Sequence, residues 1–101
     1  MGVIIAGNEE LLTANIVGDL DHHSAKEIRE QIDRSIESTK PHQLVLDFKE
    51  VSFMDSSGIG LVMGRYKLMQ QLEGKVKITN TSSHIKKVMK LAGLDRLADF
   101  D

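Results

Sequence analysis

The sequence predicts a single α/β domain in which a mixed sheet of four to five strands is covered by helices. Segments with the apolar spacing of strands alternate with segments of helical spacing, in the order strand, strand, helix, strand, helix, strand, helix. Strands joined through a helix have right-handed crossovers, so the later strands are expected to run parallel. A chain of 101 residues has room for one core, and we assign residues 1–101 to one domain.

The first two strands are expected to pair as a hairpin. An apolar run at residues 3–6 ends at Gly7-Asn8, which is a turn signal. Apolar and polar residues then alternate through residues 12–16, which is the period of a half-buried strand.

The first helix is predicted from an apolar stripe whose members are three or four residues apart: Ala25, Ile28, Ile32 and Ile36. Ser24 is a good N-cap residue, and Glu27 three positions later would complete a capping box. Pro41 indicates the end of this helix and the approach to the next strand.

The second half of the chain continues the alternation. Residues 44–48 are mostly apolar on both faces, which predicts a central strand covered on two sides. Gly74 and Gly93 are expected to end the second and third helices, with a short strand at residues 76–78 between those helices. The apolar stripes of the two helices are Ile59, Val62, Met63, Tyr66, Met69 and Leu72, then Ile85, Val88, Met89 and Ala92. An apolar tail is expected to pack back on the core: Leu94, Leu97 and Phe100.

The composition argues against several classes of function. The net charge is −2, without the clustered basic face that nucleic-acid binding needs. There is no cysteine for a thiol nucleophile, a disulfide framework or a cysteine zinc site. No apolar run approaches the roughly 18 residues of a membrane span. His22 and His23 are adjacent and would point apart, so we expect a solvated loop there and not a metal site. No cofactor is expected, and a cytoplasmic protein is the default.

The segment Asp55-Ser56-Ser57-Gly58 stands where the central strand ends and the second helix begins. A serine at such a turn can be a helix cap, a nucleophile or a phosphorylation site. Aspartate and serine are strong N-cap residues. A nucleophile elbow would read glycine-x-serine-x-glycine, which this turn does not, and the short chain offers little scaffold for a substrate pocket.

Three glycines follow on the same predicted helix: Gly58, Gly60 and Gly64. The lysine and the following serine or threonine of a phosphate-binding loop are missing, so a nucleotide site is not indicated. The glycines leave either a bare surface for a partner or room for tight packing against the sheet.

Two motifs together carry a family resemblance. The segment Gly18-Asp19-Leu20-Asp21-His22-His23 comes first, then the strand at residues 44–48, then Phe53-Met54-Asp55-Ser56-Ser57-Gly58. In this combination the chain resembles the anti-sigma-factor antagonists, which are small STAS-domain proteins, and it is most similar to the sporulation anti-sigma-F type. The resemblance covers essentially the whole chain. Asp19 stands where glutamate is common in the family, and Ser24 stands where threonine is common.

The resemblance implies a STAS-type fold and a phosphorylation switch. By this similarity Ser56 is the phosphorylated serine, and its kinase is the partner, an anti-sigma factor with serine kinase activity. The unmodified form would bind that factor and release the sigma factor, and a serine/threonine phosphatase of the metal-dependent class would restore it. Asp21, Asp55, Ser57 and Gly58 are expected at the partner-binding surface. The resemblance implies no enzymatic activity, no direct contact with nucleic acid and no membrane.

An alternative within the same family is a regulatory or scaffold subunit of a stress-signalling complex or of a transporter. In the antagonist reading, a phosphate on Ser56 would add about −1.5 to −2 charges. A helix N-terminus tolerates such a charge. We therefore expect phosphorylation to block an interface locally and to leave the fold in place.

Overall fold

The computed structural model describes residues 2–100, and it has the predicted order of elements with one additional strand. The predicted domain limits, Met1 and Asp101, lie outside the described residues. The elements are β1 (Gly2–Gly7), β2 (Leu11–Val17), α1 (Ala25–Thr39), β3 (Gln43–Glu50), α2 (Ser56–Gln71), β4 (Lys75–Thr79), α3 (Ser83–Leu91), a 3-10 turn (Leu94–Arg96) and β5 (Asp99–Phe100).

The five strands form one mixed sheet, in the order β1-β2-β3-β4-β5. β1 and β2 are antiparallel, which confirms the predicted hairpin. β2, β3, β4 and β5 run parallel, as the helical crossovers between the first three of them require.

Only one face of the sheet is fully buried. The register aligns Leu12, Leu44 and Val76 in one row across the sheet, and all three are buried. Val45 and Lys77 point to the opposite face and are half-buried. The expectation that β3 is covered on two sides is therefore wrong. The crossovers from β2 to β3 to β4 always advance in the same direction, so right-handed connections put their helices on the same face.

The N-terminus of α1 is capped by Asp21, and the predicted capping box of Ser24 and Glu27 is wrong. The Asp21 carboxylate accepts hydrogen bonds from the backbone N–H of His23 at 2.9 Å and of Ser24 at 3.1 Å. Ser24 Oγ accepts from the Asp21 N–H at 3.2 Å and donates to the Asp19 carbonyl at 2.8 Å. Asp21 and Ser24 thus form a capping box of their own three residues earlier, because one extra turn precedes the helix.

α2 ends at Gln71, and the left-handed residue that follows it is Glu73, with φ of 58°, and not the predicted Gly74. Gly74 serves packing instead. A Cβ at this position would meet Met69 Cε at 2.6 Å and the His42 carbonyl oxygen at 2.9 Å. The predicted stop at Gly93 is confirmed, since this residue follows α3 with φ of 83°.

The buried side of α2 includes a charged residue that the apolar stripe did not predict. Val62 and Met69 are buried as expected, but Arg65 is also buried, at 6% exposure. Its Nε lies 2.8 Å from Asp33 Oδ1 of α1, although the angle does not suit a hydrogen bond. Burial raises the pKa of Asp33, and the Arg65 charge opposes that rise. The guanidinium thus joins the two helices through a partly desolvated ion pair.

The apolar tail packs on the core as predicted. Leu94 is fully buried in the 3-10 turn, and Leu97 and Phe100 are half-buried against the core. Phe100 lies in β5 and pairs with Ile78 of β4, which closes the sheet on this side.

Candidate functional site

The candidate site lies where two loops meet at the carboxyl ends of β2 and β3. Leu20 N–H donates to the Phe53 carbonyl at 2.9 Å, and the Leu20 carbonyl accepts from the Asp55 N–H at 3.2 Å. The Ser52 hydroxyl donates to the Asp19 carboxylate at 3.1 Å. Because these bonds continue the pairing of β2 with β3, the two sequence motifs form one surface.

Asp55 is the N-cap of α2. Its extended backbone, with φ of −103° and ψ of −168°, turns the carboxylate back onto the first turn of the helix. Oδ1 accepts a hydrogen bond from the Ser57 backbone N–H at 2.7 Å. This bond is the main reason why the pKa of Asp55 lies below its usual value, and the Ser57 hydroxyl and His22 act in the same direction. Asp55 is therefore a charged cap at neutral pH.

The structure distinguishes the two serines that the sequence alone left equivalent. Ser56 is the first residue of α2, and its side chain is exposed. Ser57 is half-buried, its N–H bonds to Asp55, and its hydroxyl also approaches that carboxylate. Of the two hydroxyls, that of Ser56 is the one open to an approaching enzyme.

Asp21 and Asp55 lie on the two joined loops, and each caps a helix that starts there. Asp21 directly follows Leu20, whose carbonyl binds the Asp55 N–H. Both aspartates are half-buried and both carboxylates are held by backbone amides. The two helix N-termini that they cap begin at the same edge of the sheet.

His22 is a neighbour of the site that we predicted only as a solvated loop residue. Its Nδ1 lies 3.8 Å from Asp55 Oδ2, while most of its ring is exposed. His22 and His23 are both exposed in a turn, which confirms the expected solvated loop, and their rings are 4.0 Å apart. Both residues lie in a turn, where neither strand nor helix geometry applies. In residues 2–100 no group of three or more histidine and acidic side chains is arranged to hold a metal.

The glycines of α2 divide into two kinds. Gly58 is buried, and a Cβ there would overlap the side chain of Met54 and come within 3.2 Å of Leu20. Its absent side chain lets the helix start close to the loops. At Gly60 and Gly64 a Cβ would meet nothing within 4 Å. These two glycines leave the helix backbone approachable along the side that begins near Ser56.

Phe53 adds an apolar contact surface that sequence reasoning missed. It lies two residues before the cap Asp55, and 53% of its surface is exposed. The residue was present in the motif, but the sequence alone does not show whether its ring enters the core or stays exposed. Among the described helices, none has the length and apolar character needed to cross a membrane.

Comparison with known proteins identifies the family and supports the fold. The family model of the STAS domain matches residues 3–100. The chain is 33% identical over 87 residues to an anti-sigma F factor antagonist of Paenibacillus polymyxa, covering 86% of this chain and 74% of that protein. It superposes on the unphosphorylated anti-sigma factor antagonist SpoIIAA with a TM-score of 0.78 and 28% identity, covering 98% of this chain and 86% of the other. For phosphorylated SpoIIAA of Bacillus the TM-score is 0.77 and the identity 30%, with coverage of 98% and 90%.

Proposed function

Because the chain belongs to the STAS-domain family, we propose that it is an anti-sigma-factor antagonist whose binding is switched off by phosphorylation of Ser56. The observation that carries this proposal is an exposed serine at the first position of α2, beside two helix-capping aspartates. The similarity to anti-sigma F factor antagonists and to both forms of SpoIIAA supports the same function.

The partner is an anti-sigma factor that also acts as the serine kinase. It would contact the surface around Ser56, formed by the capping residues Asp21 and Asp55 and by the exposed ring of Phe53. Ser57 orients the Asp55 carboxylate through its N–H. Gly58 is buried, so its role is to let α2 start close to the loops and not to touch the partner.

Phosphorylation would weaken this contact without unfolding the domain. The phosphate adds about −1.5 to −2 charges beside Asp55, while the amides at the start of α2 favour it. At an interface fitted to a hydroxyl, an unpaired dianion costs about 2–5 kcal/mol. That cost corresponds to a loss of roughly 30-fold to several-thousand-fold in affinity.

The remaining assignments follow from this role. We assign residues 1–101 to one STAS domain that works in the cytoplasm, and a metal-dependent serine/threonine phosphatase would restore the unmodified form. The domain itself supplies the phosphoacceptor and no catalytic group. The kinase chemistry belongs to the partner, which brings the ATP.

Phosphate transfer in a mixture of the protein, ATP and its anti-sigma factor tests the proposal. Intact mass spectrometry should show the gain of one phosphate in the wild type and in Ser57→Ala, and none in Ser56→Ala. Circular dichroism of each variant verifies that the fold is retained. A phosphate that persists in Ser56→Ala would show that another residue is the acceptor. Absence of both transfer and binding in the wild type would refute the proposed partner.

A further inference from the structure

The outer edge of β1 lacks the features that normally prevent strand pairing between molecules. Within residues 2–100, β1 pairs only with β2, and that pairing runs without a bulge from Gly2 to Gly7. The strand contains no charged residue and no proline. Ile4 points to the open face of the sheet and is 64% exposed. Edge strands of monomers are usually protected by lysine, proline, bulges or short length.

A groove runs beside this edge on the helical side. Val3 and Ile5 form its apolar floor, and the flank of α1 forms its wall, with Gln31, Arg34, Ser35 and Ser38. The groove measures about 410 Å³. The opposite flank of α1 carries Asp33 and faces Arg65 of α2. The flank that lines the groove is therefore not used in the packing of α1 against α2.

We propose that a second copy of this chain pairs with β1 across a two-fold axis, so that the two sheets join into one sheet of ten strands. In the proposed antiparallel pairing, the helical face of one sheet continues into the helical face of the other. This register places Ile4 opposite Ile4 of the second copy and Val3 opposite Ile5 of the second copy. The exposed Ile4 side chains then cover each other on the open face. Each α1 contacts both β1 and β2 of its own sheet, so the two α1 helices would stand about 10 Å apart, a normal packing distance.

Charge complementarity favours a second copy over another partner. Glu27 and Arg34 are separated by two turns of α1 and lie on the flank that faces β1. A two-fold axis makes the two α1 helices antiparallel. The acidic end of each flank therefore meets the basic end of the other, and the Glu27–Arg34 pairing occurs twice.

The proposed dimer leaves the Ser56 surface free. That surface lies at the carboxyl ends of β2 and β3, and the two-fold axis reverses the strand direction of the second copy. The two Ser56 turns would point to opposite ends of the joined sheet. Self-association and partner binding are therefore separable, and the failure of one does not imply the failure of the other.

Cysteine cross-linking tests the register. The chain contains no cysteine, so Ile4→Cys introduces a single thiol at the proposed axis. Opposite residues of antiparallel strands have Cα atoms about 4.5–5.5 Å apart, which suits a disulfide. Ile4→Cys should become a covalent dimer with oxidised glutathione. Leu91→Cys is the matched control, since Leu91 is 81% exposed on α3 and should cross-link only by collision. Equal cross-linking of both variants would overturn the proposed register.

Introducing a charge at Ile4 and reversing the charges of Glu27 and Arg34 test the same arrangement without cysteine. Sedimentation equilibrium should show dimers of the wild type, and Ile4→Lys should raise the dimer dissociation constant by more than about tenfold. Glu27→Arg and Arg34→Glu should each weaken the dimer, and the double variant should restore it. Ile4 and both charged side chains are exposed in the monomer, so unchanged thermal melts separate association from folding. A wild type that stays monomeric at millimolar concentration would overturn the proposal.

Discussion

The Asp55 carboxylate accepts a hydrogen bond from the Ser57 backbone N–H at 2.7 Å, across the exposed side chain of Ser56. This bond ties down the residues on both sides of Ser56 and leaves its hydroxyl accessible. It also explains how a capping motif can serve as a modification site. The cap needs the carboxylate and the amide, and neither requires the intervening side chain.

Removing the charge of this cap while keeping a capping oxygen should change the pH dependence of stability. Because hydrogen bonding lowers the pKa of Asp55, the folded state favours the carboxylate. The resulting stabilisation is present above the ordinary pKa of 3.8 and is lost as the pH falls through the lower folded value. Asp55→Asn should therefore reduce the loss of stability on acidification relative to the wild type. Urea unfolding at several pH values measures this difference, and parallel curves for the two proteins would disprove it.

Alanine at two nearby glycines should shift stability in opposite directions. Gly58→Ala puts a methyl group against Met54, and overpacking of this kind costs about 1–3 kcal/mol. Gly60→Ala meets open space and should gain up to about 1 kcal/mol through helix propensity. Urea unfolding of the two variants compares them directly. A gain in stability from Gly58→Ala would contradict the packing role.

Gly60→Ala also tests whether the partner approaches the bare backbone of α2. The variant should fold at least as well as the wild type, so reduced affinity for the anti-sigma factor would report lost contact and not lost structure. We expect weaker binding in calorimetric titrations. Unchanged affinity would confine the contact surface to the turn and its loops.

The ion pair between Arg65 and Asp33 should stabilise the fold and keep the pKa of Asp33 lower than burial alone would make it. Arg65→Met removes the cation but keeps an apolar stem, and it should destabilise the fold. The cost should be smaller than the about 3–5 kcal/mol typical of fully buried pairs, since Asp33 is partly exposed. The pKa of Asp33 is already raised by burial and should rise further without Arg65. A raised folded pKa makes stability fall as the pH increases from 3.8 through that value, and NMR titration of the Asp33 carboxyl should show the larger shift in the variant.

A negative charge at Ser56 should weaken partner binding specifically. Ser83 is a matched control, because it is also an exposed serine at the first position of a helix, after the capping residue Ser82. Both Ser56→Asp and Ser83→Asp should be tolerated by the fold, since acidic residues suit a helix N-terminus. Only Ser56→Asp should reduce affinity for the anti-sigma factor in calorimetry. Equal effects of the two variants would indicate a general charge effect.

The sequence predicted the element order and the hairpin because both depend on local periodicity. It predicted that Asp21 and Asp55 share a surface only through the family resemblance. The burial of Arg65 was missed because its partner, Asp33, comes from another helix and carries no periodic signal. The capping box of α1 was placed three residues late. The extra turn that moves the box to Asp21 includes a hydrogen bond from the Ser24 hydroxyl to the Asp19 carbonyl, which the sequence pattern does not reveal.

The choice between Ser56 and Ser57 shows the same limit. Both are strong capping residues, and their spacing from Asp55 differs by one position. Exposure separates them, and exposure depends on how α2 meets the loops after β2 and β3. Such non-local contacts cannot be read from residue types in order.

The affinity of the anti-sigma factor for the unmodified and the Ser56-phosphorylated protein tests the central claim most directly. Calorimetric titration of both forms, prepared from the same protein by kinase treatment, gives the two dissociation constants. The account predicts that phosphorylation weakens binding by at least about 30-fold, the lower limit set by an unpaired interfacial charge. Equal affinities of the two forms would contradict it.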